Sequence, residues 1–148
     1  MDYRHGDLVK LAKAGEFDAI VHGCNCQNVM GAGIARQIKK EFPQAFMVDS
    51  MRRQTPGTYS CATLPGLKVF NAYTQLYTGE PTPGDTSDMR LVWIRSAFSK
   101  IMENVEVSSR IGIPKIGAGL AGGDWEIIEQ VIDETCHAHN VTCIIYAG

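Results

Sequence analysis

Most residues in this chain whose types and spacing can do chemistry lie in two glycine-rich stretches. The first reads His22-Gly23-Cys24-Asn25-Cys26 and runs on to Gly31-Ala32-Gly33-Ile34-Ala35. The second reads Lys115-Ile116-Gly117-Ala118-Gly119-Leu120-Ala121-Gly122-Gly123-Asp124. Glycine adopts backbone angles closed to other residues and lets a ligand approach the main chain. Where such a loop enters a helix, successive free N–H groups make an anion site. Two loops of this kind in one small chain predict a pyrophosphate held from both sides; the plainer alternative is that the glycines only make turns.

The groups able to move protons near these loops are few. His22 stands at the end of a strand beside Asn25, and an imidazole titrates near neutrality, so it is the first candidate for acid–base work. The alternative is a hydrogen-bonded core histidine. Asp124 is the one carboxylate of the second loop. It can act as a base on water or orient His22, and it also stands where a helix N-cap belongs. Gly117, Gly119 and Gly122 satisfy the dinucleotide fingerprint G-x-G-x-x-G, but the acidic residue expected about 20 positions on is replaced by Thr142,. Too little chain follows for the rest of a dinucleotide-binding sheet, and no Walker lysine-serine pair exists. Cys24-x-Cys26 and Cys136-His137-x-His139 are too closely spaced for the usual zinc pairs, and on a helix the two histidines point about 200° apart. No metal is expected.

Elements must position these loops. The apolar periods alternate between strand-like and helix-like, as in a layered α/β domain. Strands are expected at Phe17–His22, Thr58–Leu64, Lys68–Tyr73, Arg110–Pro114 and Val141–Tyr146. Helices are expected at Gly33–Phe42, with Ile34, Ile38 and Phe42 on one face, then at Gln44–Met51, Met89–Met102 and about Trp125–His139. Pro43 breaks the first helix pair. Thr78 to Asp88, rich in Gly, Pro, Thr and Asp, is a surface loop.

At 148 residues the chain fits one domain with one well-filled core,. Fourteen basic against sixteen acidic residues give a net charge of −2, with no clustered basic excess of the kind a nucleic-acid footprint needs,. No apolar run approaches the roughly 20 residues that span a bilayer, and Met1-Asp2-Tyr3-Arg4-His5 lacks a signal-peptide core,. Five cysteines, an odd count, fit reduced thiols,. A cytoplasmic monomer is expected.

The order of motifs resembles the macro domain family over essentially the whole chain: Gly6-Asp7-Leu8, Ala19-Ile20-Val21-His22-Gly23-Cys24-Asn25, Gly31-Ala32-Gly33-Ile34-Ala35 and Ile113-Pro114-Lys115-Ile116-Gly117-Ala118-Gly119-Leu120. The first loop is similar to the branch containing ADP-ribose-1″-phosphate phosphatases. Similar loops occur in terminal ADP-ribose protein glycohydrolases and antitoxin macro domains. The resemblance implies a three-layer α/β/α fold with a central mixed sheet, and ADP-ribose in a cleft at the strand ends, with no cofactor. By it, Asp7 accepts a hydrogen bond from the adenine amino group, Leu8 contributes backbone contacts and Tyr146 packs against the base. Asn25 holds the distal ribose. Gly31, Gly33 and Ile34 form one phosphate wall, and Gly117, Gly119 and Leu120 the other. Asp7 has a plainer reading as a helix cap, Asn25 as a residue bonding its own loop, and Tyr146 as sheet packing.

Two positions depart from the related glycohydrolases. They carry a lysine at the end of the strand that here reads Val69 to Gln75, and an aspartate where this chain has Ala121. Three activities follow from the resemblance: release of phosphate from ADP-ribose-1″-phosphate, removal of ADP-ribose from modified protein or nucleic acid, and ADP-ribose reading without catalysis.

Overall fold

The computed structural model describes residues 1–146. Six strands form one sheet: β1 (Asp2–Gly6), β2 (Ala19–Asn25), β3 (Tyr59–Leu64), β4 (Leu67–Gln75), β5 (Arg110–Ile113) and β6 (Asn140–Tyr146). Their order is β1-β6-β5-β2-β4-β3, and only β3 runs antiparallel to its neighbour. The helices are α1 (Leu8–Lys13), α2 (Gly33–Glu41), α3 (Pro43–Ser50), α4 (Ser87–Glu103) and α5 (Trp125–Cys136).

Parallel strands covered on both faces read as continuous apolar runs, and β2 and β4 do so. Alternation then divides their side chains between two cores. Ile20 and Val69 face α1, α2 and α3, where Leu8, Val9, Ile38, Phe42 and Ala45 are buried. Ala19, Val21, Phe70 and Ala72 face α4 and α5, against Ile94, Phe98, Ile101, Ile128 and Ile132. This is the mixed-sheet α/β/α arrangement expected from the motifs.

Several boundaries differ from the sequence expectation. The first expected strand begins at Ala19 rather than Phe17 and continues past His22 to Asn25. Phe17 is buried at 5% exposure, but in the irregular segment ahead of the strand. Helix α5 stops at Cys136 rather than His139, because His139 N–H bonds back to Cys136 O (2.9 Å) and turns the chain into β6. Strand β1 has no apolar signal at all. Its sequence Asp-Tyr-Arg-His-Gly lies mostly exposed at the sheet edge and is defined by parallel pairing with β6, from Asp2 opposite Thr142 to Gly6 opposite Tyr146.

The connections determine where a ligand can sit. Strands β2 and β5 are neighbours, yet α2, which follows β2, packs on one face and α5, which follows β5, packs on the other. The chain therefore opens a crevice at the carboxyl ends of these two strands, the usual binding place in such sheets. Both glycine loops leave the sheet there.

Candidate functional site

Two adjoining cavities make up the crevice. The smaller, about 470 Å³, is lined by Gly6, Asp7 and Leu8 at the β1–α1 junction, by Gln37, and by Ile144 to Tyr146 at the end of β6. The larger, about 680 Å³, is lined by Asn25, Val29 and Gly31 of the first loop, by Gln75, Thr78 and Gly79 after β4, and by Gly117 to Ala121 of the second loop. Gly33, Ile34, Pro114, Lys115, Ala118 and Gly119 line both, so the cavities form one continuous cleft.

The start of α2 is the feature that most favours an anion. Helices α1, α4 and α5 each begin with a side-chain cap: Asp7 on Lys10 N–H, Thr86 on Met89 N–H and Asp124 on Glu126 N–H. Pro43 occupies the first turn of α3 and lacks one of the amides that would need a partner,. Helix α2 has Ala32 at its N-cap, no side-chain cap and no acidic residue in its first turn. Its first-turn amides carry the partial positive charge of a helix start, and Gly33 and Ile34 among them line the cleft,.

The second loop stands opposite. A side chain at Gly33 (φ +59°) would have its Cβ 3.6 Å from Leu120 Cδ1, so the two loops nearly touch. Leu120 is 68% exposed at the rim. Turn bonds fold the loop on itself, Ile116 N–H to Pro114 O, Ala118 N–H to Lys115 O and Gly123 N–H to Gly117 O. None of these uses the Gly117 or Gly119 amide. Gly119 sits at φ +63° with open space where a Cβ would be, which leaves its backbone open to the cleft.

The remaining expected ligand residues line the cleft while also doing local structural work. Asp7 Oδ1 accepts Lys10 N–H at 3.1 Å, so the helix-cap reading describes one carboxylate oxygen. A carboxylate has about four acceptor positions, so capping and ligand binding are compatible. Asn25 accepts Gln27 N–H (2.9 Å) and donates to Val29 O (2.9 Å), which shapes the first loop around it. The β2–β4 register shifts between Cys24 and Asn25, where the strand reaches the cleft. Leu8 is buried at the cleft wall, and Tyr146 is 67% exposed at its end.

Neither expected acid–base residue lies on the cleft. His22 is fully enclosed on the α2–α3 side of the sheet. Its Nε2 lies 2.6 Å from Asn71 Oδ1, while Asn71 Nδ2 donates to Ala45 O (2.9 Å) and Ser60 Oγ (3.0 Å). That network assigns the Nε2 proton to His22. Burial, partly opposed by the Asn71 bond, pushes the imidazole down to about 4. The same polar seam continues through the Ser60–Tyr73 hydroxyl pair to Asp49, whose Oδ1 accepts from Tyr73 (2.7 Å). Asn28 donates to Asp49 O (2.5 Å), so the seam holds the first loop from beneath. His22 thus has the position and partners of a hydrogen-bonded core residue, away from the cleft lining. Asp124 is the N-cap of α5, accepting Glu126 N–H at 3.0 Å. It lines a further cavity of about 310 Å³ behind the second loop, which shares Gln75, Gly117 and Ala121 with the larger cavity.

Other residues of the site carried no readable signal. Gln37 and Thr78 line the cleft although nothing in their spacing marks them, and Gln75 and Lys115 do so although the motifs that contain them gave them no site role. Asp85 and Arg90, wholly and nearly wholly buried, pair at 2.7 Å behind its far end. Desolvation raises the Asp85 carboxyl, but Arg90 and the Tyr77 and Leu76 amides together hold it below the usual carboxylate range. Among the described residues no group of three His, Cys, Asp or Glu side chains forms a metal site. Cys24 and Cys26 stand at the cleft end of the sheet, and Cys136 to His139 at the opposite end. No helix among the described residues is long and apolar enough to cross a membrane.

Comparison with known proteins bears on this geometry. The family model described as Macro domain matches residues 21–132. The chain is 34% identical over 140 residues to an uncharacterized 17.5 kDa protein in the tk-vs intergenic region of Enterobacteria phage T4, covering 88% of this chain and 86% of the phage protein. It is 27% identical over 148 residues to the ADP-ribose 1″-phosphate phosphatase of Debaryomyces hansenii, covering 80% and 83%. It is 28% identical over 153 residues to the DNA ADP-ribosyl glycohydrolase of Mycobacterium bovis, covering 97% of this chain but 41% of that protein. The solved macrodomain of Mycobacterium tuberculosis DarG superposes with a TM-score of 0.76 at 24% identity, covering 99% of this chain and 97% of that one, a likeness of fold.

Proposed function

The chain belongs to the macro domain family, and on that premise we propose that its cleft binds ADP-ribose and hydrolyses ADP-ribose-1″-phosphate to ADP-ribose and phosphate. The observation that carries the binding reading is the uncapped start of α2 facing the second glycine loop. Such an arrangement receives a pyrophosphate between two sets of backbone amides without a metal. In this reading the adenosine occupies the smaller cavity, with Asp7 accepting from the adenine amino group, Leu8 giving backbone contacts and Tyr146 against the base. Gly31, Gly33 and Ile34 face the diphosphate from one side, and Gly117, Gly119 and Leu120 from the other. The distal ribose lies near Asn25 in the larger cavity.

The chemistry of the larger cavity supports phosphate release over cleavage by a carboxylate pair. Its described lining contains no aspartate or glutamate, whereas most glycoside cleavage uses two carboxylates flanking the bond. Phosphoryl transfer depends mainly on positioning and charge stabilisation. Backbone amides supply both. As water attacks phosphorus it passes a proton to an oxygen of the substrate's own phosphate, the bond from phosphorus to the 1″ oxygen breaks, and that proton passes on to the departing 1″ oxygen. His22 and Asp124 have no part in this step.

The test is incubation of the purified protein with ADP-ribose-1″-phosphate and, separately, with ADP-ribosylated protein and ADP-ribosylated DNA, each with and without EDTA. Inorganic phosphate from the first, undiminished by EDTA, is the expected result. Free ADP-ribose from the second or third, with none of that phosphate, replaces the phosphatase by a glycohydrolase. Binding with no product makes the protein a reader.

A further inference from the structure

The fold has a buried ion pair that the cleft chemistry above does not use. Asp85 is fully enclosed, and its carboxylate accepts the amides of Leu76 (3.2 Å) and Tyr77 (3.0 Å), the first residues after β4. Arg90, in the first turns of α4, forks onto it through Nε to Oδ1 (3.0 Å) and Nη2 to Oδ2 (2.7 Å). The rest of the guanidinium points at main-chain carbonyls: Nη1 donates to Gly79 O (2.9 Å) and Ala121 O (3.3 Å), and Nη2 to Glu80 O (3.4 Å). These five bonds occupy every N–H that an arginine side chain has.

The pattern of partners is selective. Gly79 and Glu80 belong to the loop after β4, and Ala121 to the glycine loop after β5. Both loops line the larger cavity, through Gln75, Thr78 and Gly79 on one side and Gly117 to Ala121 on the other. None of the clamp's partners lines the smaller cavity. The loops also meet directly, since a Cβ at Gly122 would lie 3.0 Å from Glu80 Cγ. As a stability element a buried ion pair is a poor choice, because well-packed apolar residues of similar volume often do as well or better. A planar fork that reaches one carboxylate and three carbonyls of two loops is, by contrast, something few side chains other than arginine can make.

We infer that Asp85 and Arg90 are positioning residues that set the width of the distal-ribose end of the cleft, an inference that rests on the ADP-ribose reading above. They touch no ligand. They hold the two loops between which the distal ribose and the group on it must fit, and they leave the adenosine end unaffected.

The experiment is calorimetric titration of the wild type and Arg90→Lys with ADP-ribose and with AMP, which lacks the distal ribose. Lysine keeps the charge opposite Asp85 but cannot reach both loops. ADP-ribose affinity should fall about tenfold or more in the variant, with AMP affinity within about twofold of wild type. If the two affinities stay put, or fall by the same factor, the inference is overturned. A wild type that binds AMP but not ADP-ribose overturns the cleft reading itself, and this one with it. Should Arg90→Lys not fold, the wild type decides: the buried Arg90 Nε–H resonance should shift with ADP-ribose and not with AMP, and no shift with ADP-ribose refutes the clamp.

Discussion

His22 illustrates how far residue type can mislead when burial is unknown. A histidine at a strand end beside a glycine loop has the chemistry of an acid–base catalyst, yet this one is fully enclosed on the α2–α3 side of the sheet and donates to Asn71. Its consequence is a pH-dependent stability. The folded imidazole titrates at about 4, against an ordinary value of 6.5. Between those values the unfolded chain binds more protons, so the native state is fully favoured above about pH 6.5 and loses stability as pH falls towards 4. The gap corresponds to about 3 kcal/mol. Urea unfolding at pH 7 and pH 4.5 should show wild type losing about 2–3 kcal/mol more than His22→Gln. Parallel losses in the two proteins would return the titration to other groups. The residue-scale signal that did exist was ambiguous by nature: strand alternation assigns His22 a face but does not say which face meets the cleft.

At the scale of elements, α2 is the segment whose sequence and role agree best. Ile34, Ile38 and Phe42 share the spacing of a buried helical stripe, and they pack in the core beneath β2 and β4. The run Gly31-Ala32-Gly33 has no side chain able to accept a first-turn amide,. In the proposed reading the missing cap is itself the binding feature. Ala32→Asp should therefore separate stability from function. An aspartate there can accept a first-turn amide and add about 1 kcal/mol of stability. It also puts a negative charge where the diphosphate would lie. Expected are an unchanged or raised melting temperature and at least a tenfold loss of ADP-ribose affinity; unchanged affinity would move the phosphates away from α2. By contrast β1 was silent in the sequence. An exposed edge strand buries little, so its polar residues have no period to read, and only pairing with β6 brings Asp7 beside Tyr146.

For the molecule as a whole, the cleft lies between loops from both layers, so occupancy should stabilise the entire fold. A ligand at a hundred times its dissociation constant adds about 2.7 kcal/mol. For a domain near 150 residues each kcal/mol raises the melting temperature by about 2–4 °C. ADP-ribose should thus raise it by roughly 5–10 °C at that excess, AMP less at the same concentration and ribose-5-phosphate least, with EDTA making no difference. Thermal unfolding followed by circular dichroism checks the series. An equal response to all three ligands would leave the two-cavity reading without support.

What the sequence by itself determined is local. Clustered glycines and apolar runs with period 2 or 3.6 are properties of neighbouring residues, so the α/β class, both glycine loops and most helices were readable from it. What only the tertiary structure decided is how distant segments meet. The neighbouring of β2 and β5, with their helices on opposite faces, makes one crevice out of two loops about ninety residues apart. The same packing turns His22 inward onto Asn71. It also buries Arg90, which looks like any solvated residue near a helix start, because Asp85 and the carbonyls of two loops close around it. Burial and partnership are set by the whole chain, and no window of sequence contains them.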